Sequence, residues 1–173
     1  MHVMEAIRER RSVRAYQDRP VPHEVLLRVL EAARLAPSAA NRQLRKFVVV
    51  REAAARAALA EAASRQRFVA EAPVVIAGVG LAPERKMSCD IPSDPVDVAI
   101  ALDHLSLAAV EEGLGTCWIG AFDQAQVKRL LGIPDTADVI ELMTLGYPAD
   151  QPRPKNRKPL EELVAWERFS AAS

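Results

Sequence analysis

The stretch PVDVAIALDHLSLAAVEE, residues 95–112, predicts one long helix that is apolar on nearly every side. Asp94 and the proline after it provide an N-cap and a first-turn proline, and the EGLG stretch ends the pattern. The main polar stripe consists of Asp97, His104 and Glu111, spaced by seven. A helix with so narrow a polar face is buried in the protein core or against a partner chain.

Shorter elements are predicted on both sides of this helix. Helices are predicted at about residues 3–10, 18–37, 51–65, 124–132 and, as a short turn, 160–166, and strands at about 46–50, 73–80, 116–122 and 139–147. Because strands alternate with helices, we expect one mixed domain over residues 1–173. Periodicity leans towards parallel crossover connections, but it does not determine strand direction.

Composition excludes several functional classes. Lysine plus arginine equals aspartate plus glutamate at 23 each, whereas a general nucleic-acid binder usually carries an excess of positive charge. No apolar run approaches the ~20 residues that cross a bilayer. Cys89 and Cys117 do not make a disulfide framework, and the histidines and cysteines lack metal-ligand spacing. Since the start of the chain is charged and unlike a signal peptide, we expect a cytoplasmic protein with no metal, membrane or nucleic-acid partner.

Basic residues gather in two segments near opposite ends of the chain, RERRSVRAY at 8–16 and KNRK at 155–158. Arginine binds phosphate through a planar fork, lysine as a point charge, and a serine hydroxyl adds one hydrogen bond. If the fold brings the segments together, they form a pocket for one phosphate dianion. The candidate ligands are Arg10, Arg11, Ser12, Arg14, Lys155 and Arg157. Taken singly, each cluster favours the plainer interpretation, a solvated helix end for the first and a soluble surface loop for the second.

Two further motifs are ambiguous from their residues alone. APSAANRQ at 36–43 combines small and polar residues that either wrap a polar ligand or form an ordinary turn. GLGTCWIG at 113–120 fits neither a P-loop nor the G-x-G-x-x-G fingerprint. It predicts a helix C-cap followed by a strand, and Gly120 would let the backbone approach a flat ring closely.

In this order, RRSVR, APSAANRQ, GLGTCWIG and KNRKPLEELV resemble the signatures of the nitroreductase family of FMN-dependent oxidoreductases. The resemblance extends from about residue 4 to residue 165. It implies an α+β fold with a mixed, mostly antiparallel sheet flanked by helices, and an intertwined homodimer with FMN at each of two shared interfaces. The helix at 95–112 would be a main element of that dimer.

The resemblance also implies roles for individual residues. By position, Arg10, Ser12 and Arg14 would hold the FMN phosphate and reach towards the ribityl chain or the pyrimidine edge. Lys155 and Arg157 would complete the grip on the phosphate, with Arg11 counted among the cofactor-binding residues. The partner subunit would contribute Pro37, Ser38, Ala39, Asn41 and Gln43, and the isoalloxazine near N5 would lie against Ile119 and Gly120. There are departures from the family. Many relatives have Pro-Trp where this chain has Leu44 and Arg45, and one branch has a glutamate where this chain has Ile119.

The activity implied is a ping-pong reaction in which NADH or NADPH reduces flavin N5 and a nitroaromatic, a quinone or a related acceptor is then reduced. No catalytic side chain is expected, because the flavin carries the chemistry. A flavin-binding protein without efficient turnover, such as a flavin store or a redox-responsive partner, uses the same basic segments. A plain α/β interaction domain with solvated arginines is the remaining alternative, and it would purify colourless.

Overall fold

The computed structural model describes residues 1–150 and 155–169. The helices are α1 Val3–Glu9, α2 His23–Leu35, α3 Ala53–Ala62, α4 Arg67–Glu71, α5 Ser93–Glu111 and α6 Gln124–Leu131; the strands are β1 Arg45–Val50, β2 Val74–Gly80, β3 Gly115–Ile119 and β4 Asp138–Gly146; and single 3₁₀ turns lie at Ala39–Asn41 and Leu160–Glu162. Within those ranges, no helix has the length and the hydropathy needed to span a membrane.

The four strands form one sheet in the order β1-β2-β4-β3, and every neighbouring pair is antiparallel. The lean towards parallel crossovers was therefore wrong, and the antiparallel sheet implied by the family resemblance is confirmed. Strand direction is set by which distant strands pair, as when Ile76 of β2 lies opposite Met143 of β4. A continuous apolar run such as β2, in which all seven residues are buried, carries no signal for that choice.

Helices cover both faces of the sheet. On one face, α2 and α5 pack Val29, Leu102 and Leu105 against the strands. On the other, α3, α4 and α6 contribute a second cluster that includes Leu59 and Val127. Fully burying such a side chain stabilises the fold by roughly 1.5–3 kcal/mol. The buried faces of the helices thus hold β3 and the segments around it in fixed positions.

The long helix α5 differs from its prediction in its polar residues. It begins at Ser93, so Asp94 lies inside the first turn and the predicted N-cap is wrong. The buried Asp94 carboxylate accepts a hydrogen bond from the Ala82 backbone N–H at 2.7 Å. Asp97 is buried as well and accepts the Ala39 N–H at 2.9 Å. The stripe of polar residues is therefore not one solvent face, because its first member, Asp97, is buried and satisfies a loop amide.

Two other elements show how local signals succeed and fail. Asp123 caps α6, which begins at the predicted position, since its Oδ1 accepts the Gln126 backbone N–H at 2.8 Å. The helix predicted at 51–65 ends at Ala62, because Ser64 and Arg65 take left-handed φ values of 56° and 57°. The chain then restarts as the short helix α4, for which the sequence offered no separate signal.

Much apolar surface stays uncovered in the single chain. The predicted amphipathic helix α1 turns its apolar side outward, with Val3 70% exposed. In the segment after residue 155, Trp166 is 80% and Phe169 is 92% exposed. Along α5, the half-exposed apolar residues Val96, Ile100, Leu107 and Val110 form a further stripe. Exposed apolar surface of this extent is typical of a site of protein–protein interaction.

Candidate functional site

The arginine-rich segment that follows α1 lies directly beside β3. Ser12 forms a parallel bridge with Thr116, and the Val13 backbone N–H donates to the Thr116 carbonyl at 2.9 Å. A Cβ on Gly115 would clash with the Val13 side chain, so a glycine is needed for this close approach. Two of the sequence motifs, RRSVR and GLGTCWIG, are therefore neighbours in the fold.

The second basic segment returns to the same place. Lys155 Nζ donates to the Ile7 backbone carbonyl in α1. Partial burial lowers the pKa of Lys155, and the positive charges of Arg10, Arg11 and Arg157 lower it further. We call Arg10, Arg11, Lys155 and Arg157 the basic cluster. The two ends of the chain therefore converge, as the phosphate-pocket hypothesis requires.

Within the basic cluster, Arg11 has a structural task of its own. Its guanidinium donates to the backbone carbonyls of Arg8, Glu9 and Arg10 at the C-terminal end of α1. These carbonyls have no partner inside the helix, and a cation placed there also interacts favourably with the helix dipole. Arg11 thus shapes the segment that presents Arg10 and Ser12.

Arg14 adds a further positive charge beside β3. The guanidinium carbon of Arg14 lies 5.9 Å from the centre of the Phe68 ring. Burial raises the pKa of the Cys117 thiol, although Arg14 and Arg10 act in the opposite direction. Cys117 is therefore a protonated thiol in the core rather than a nucleophile, and the field of Arg10 and Arg14 remains available to a bound anion.

One buried hydroxyl beside Ser12 is left without a partner. Thr116 Oγ1 is buried and makes no hydrogen bond with any of the residues described. Thr116 lines a surface cavity of about 370 Å³ together with Arg10, Arg11 and Val110. Since buried polar atoms are nearly always satisfied, this hydroxyl next to guanidinium groups needs a hydrogen-bond partner that the described chain does not supply.

The far end of β3 presents backbone rather than side chains. Ile119 is buried in the second core cluster, so its side chain belongs to the core. Gly120 is exposed, and the nearest atoms to a Cβ placed there would be the Glu141 carboxylate oxygens, at 3.9 and 4.0 Å.

Glu141 is half-buried in β4, and burial raises its pKa to about 6, against the effect of a hydrogen bond from the Ile119 backbone. Sequence reasoning missed Glu141, although a lone carboxylate inside the apolar run VIELMTLGY is a visible signal.

The raised pKa of Glu141 predicts a pH dependence that Glu141→Gln removes. The folded state disfavours the charged form of Glu141, so the contribution of Glu141 to the free energy of unfolding depends on pH. That contribution is fully present below the ordinary pKa of 4.5 and is lost as the pH rises through about 6. For a half-exposed group we expect about 1 kcal/mol. In urea unfolding at both ends of that range, Glu141→Gln should gain stability over the wild type as the pH rises. The exposed Glu84→Gln variant should not, and equal slopes in all three proteins would contradict the assignment.

The APSAANRQ motif forms a loop, residues 36–43, on a different part of the surface. The Ser38 hydroxyl accepts the Gln43 backbone N–H at 3.0 Å, and Asp97 of α5 holds the Ala39 N–H. Asn41 and Gln43 are exposed. In the described chain, no hydrogen bond or ion pair connects this loop to the basic cluster.

The 36–43 loop and the basic cluster lie at opposite ends of α5. Asp97, which holds the loop, is near the N-terminal end, and Val110, which shares a cavity with Arg10 and Arg11, is near the C-terminal end. At 1.5 Å per residue, these two positions are about 20 Å apart along the helix. The predicted site residues therefore fall into two groups that one chain does not bring together.

Comparison with known proteins identifies the family to which these motifs belong. The profile of the nitroreductase family matches residues 7–66 and 61–147. This chain belongs to the nitroreductase family. The predicted family and the predicted α+β fold class are thereby confirmed, whereas the roles of individual site residues stay predictions.

Other members resemble this nitroreductase-family chain over most of its length. A Thermus thermophilus protein named NADH dehydrogenase is 35% identical over an alignment of 189 positions, gaps included. The alignment covers 91% of this chain and 92% of that protein. A Bacillus subtilis protein named FMN reductase (NAD(P)H) is 30% identical, with 94% of this chain and 72% of that protein covered. The structure of a nitroreductase family protein from Clostridium difficile 630 has a TM-score of 0.88 and 30% identity, covering 98% of this chain and 100% of the other.

Proposed function

We propose that this chain is an FMN-dependent oxidoreductase that takes electrons from NADH or NADPH and reduces a nitroaromatic, a quinone or a related acceptor. Membership of the nitroreductase family and the relatives' names support the enzyme class and both cofactors. The observation that carries the proposal is the convergence of the two basic segments, since it builds an anion site from residues about 145 positions apart in the sequence.

The basic cluster fits the phosphate of FMN. Arg10, Arg11 and Arg157 already repel the proton on Lys155, and a dianion among them would relieve that repulsion. Each charge-assisted hydrogen bond to the phosphate contributes roughly 1.5–3 kcal/mol. The exposed Ser12 hydroxyl and the partnerless Thr116 hydroxyl are the neutral donors beside these charges.

The flavin ring fits against the end of β3. There, Gly120 offers exposed backbone without a side chain, and the exposed Arg14 supplies positive charge along the same strand. When bound, FMN would supply the redox chemistry, a two-electron exchange through N5 between NAD(P)H and the acceptor in a ping-pong sequence. The protein's part is to hold the ring in place and to provide an electrostatic field that favours negative charge beside Arg14.

The complete site is proposed to need a second copy of the chain. A two-fold dimer with antiparallel α5 helices would bring the 36–43 loop of one subunit to the basic cluster of the other, since these groups lie at opposite ends of that helix. The half-exposed apolar stripe on α5 and the exposed apolar residues of α1 and the 155–169 segment supply surface for such a dimer. Two equivalent shared FMN sites would result.

The direct test is the visible absorption spectrum of the purified protein. We expect an oxidised flavin spectrum that bleaches when NADH or NADPH is added without oxygen and returns when a quinone or a nitroaromatic is added. Bound FMN that neither nucleotide reduces would reject the oxidoreductase in favour of a flavin-binding protein. A colourless protein that FMN cannot reconstitute would reject both.

A further inference from the structure

Arg45, at the start of β1, ties down the 36–43 loop. Its guanidinium donates to four backbone carbonyls: Pro37 at 2.8 Å, Asp97 at 3.1 Å, Ala33 at 3.4 Å, and Ala36. Burial lowers the pKa of Arg45, and the Asp97 carboxylate opposes that effect. One side chain thus joins the end of α2, the loop and α5.

The shape of arginine suits this task. Helix α2 ends at Leu35, so the carbonyls of its last turn have no partner within the helix. A planar guanidinium with five donors reaches several of them at once, whereas a lysine ammonium acts as a single compact charge. From the other side, the Asp97 carboxylate accepts the Ala39 N–H, so Arg45 and Asp97 together clamp the loop.

The clamped loop is strained. Ala40, Asn41 and Gln43 have φ values of 51°, 53° and 57°, in the left-handed region that non-glycine residues rarely adopt. Such backbone conformations are energetically costly and persist only where the surrounding structure holds them in place. Asn41 and Gln43 are also exposed polar side chains that the loop offers to a neighbour. The clamp therefore maintains a conformation that the loop would otherwise relax.

We infer that Arg45 and Asp97 are positioning residues for the FMN bound by a second copy of this chain, because they hold the 36–43 loop in the shape that completes the partner's site. This inference rests on the proposed function. It gives a physical role to Arg45, which the family resemblance marked only as a departure.

The first test is FMN affinity. Arg45→Ala should raise the FMN dissociation constant by about tenfold or more, since it removes several hydrogen bonds that shape the loop. Arg45→Lys should recover part of that loss, because it keeps the charge but not the fork. Arg42→Ala is the matched control, an exposed arginine in the same loop whose side chain has no partner within the described structure. Equal affinity in Arg45→Ala and the wild type would overturn the inference.

The second test asks whose site the loop serves. Differently tagged chains carrying Arg45→Ala or Arg157→Ala are co-expressed, and the heterodimer is purified. If the loop completes the partner's site, one site carries both defects and the other neither, so half of the wild-type FMN should remain after gel filtration. If the loop serves its own chain, each site carries one defect and no tightly bound FMN should remain, which would overturn the inference. Where Arg45→Ala does not fold, Arg45→Lys takes its place in the same pairing.

These outcomes distinguish failure of the proposed function from failure of the positioning role of Arg45. A wild-type dimer without tightly bound FMN would overturn the proposed function, and the positioning role with it. A wild-type dimer that binds FMN, together with an Arg45→Ala dimer that binds it equally well, would overturn the positioning role alone. Loop conformation is followed independently of activity by hydrogen exchange at the Ala39 amide, which should be faster in Arg45→Ala and unchanged in Arg42→Ala.

Discussion

Replacing Arg10 or Arg157 with alanine should weaken FMN binding by about 10- to 150-fold, and the two losses should not add in the double variant. Each guanidinium is expected to contribute roughly 1.5–3 kcal/mol to phosphate binding. Because both lie close enough to Lys155 to lower its pKa, they are expected to grip one phosphate, and groups that share a ligand couple by about 0.5–3 kcal/mol. Titration of FMN into the four proteins, followed by flavin fluorescence, measures the cycle.

A neighbouring lysine provides the control for this experiment. Lys158 belongs to the same KNRK segment but lies 3.4 Å from the Glu162 carboxylate and is largely exposed. Lys158→Ala should therefore leave FMN affinity nearly unchanged, because surface ion pairs of this kind contribute little. Strictly additive losses in the Arg10 and Arg157 cycle would show that the two arginines do not share a site.

Leu107→Glu is expected to convert the protein into a monomer that no longer retains FMN. Leu107 lies on the half-exposed stripe of α5, so the change should leave the core of each chain intact. The two-fold axis would place the new carboxylate at the interface twice, and we expect dimerisation to weaken by about 3 kcal/mol or more, roughly 100-fold. FMN should be lost with the dimer, since the 36–43 loop and the basic cluster of one chain lie too far apart to form the site.

Sedimentation and the flavin spectrum, measured on the same samples, test this prediction. Leu130→Glu is the matched control, because Leu130 is 47% exposed on α6, away from the proposed interface. It should remain a yellow dimer. A Leu107→Glu monomer that binds FMN as tightly as the wild type would show that one chain holds a complete site.

The candidate site was only partly accessible from the sequence. The residues themselves marked RERRSVRAY and KNRK as candidate phosphate-binding segments, but each taken alone favoured solvated surface. Only the family resemblance linked them to FMN, because that link depends on two segments meeting in space. The clamp formed by Arg45 and Asp97 was not predicted at all. Arg45 registered only as a departure from the family, and Asp97 was assigned to a polar stripe.

The sequence by itself determined where most elements begin and end, because those signals are local. Prolines precede α2, Asp123 caps α6, and the apolar run PVVIAGVG forms β2. Each depends on residues within a few positions of one another, whose hydrogen bonds and backbone preferences act whatever the rest of the chain does.

Only the tertiary structure decided the strand order, the burial of Asp97 and the meeting of Lys155 with Arg10. These features join residues that are up to about 145 positions apart, and no local preference encodes such a contact. They follow from which apolar surfaces pack together when the chain folds, and that packing sets the charges of its two ends side by side.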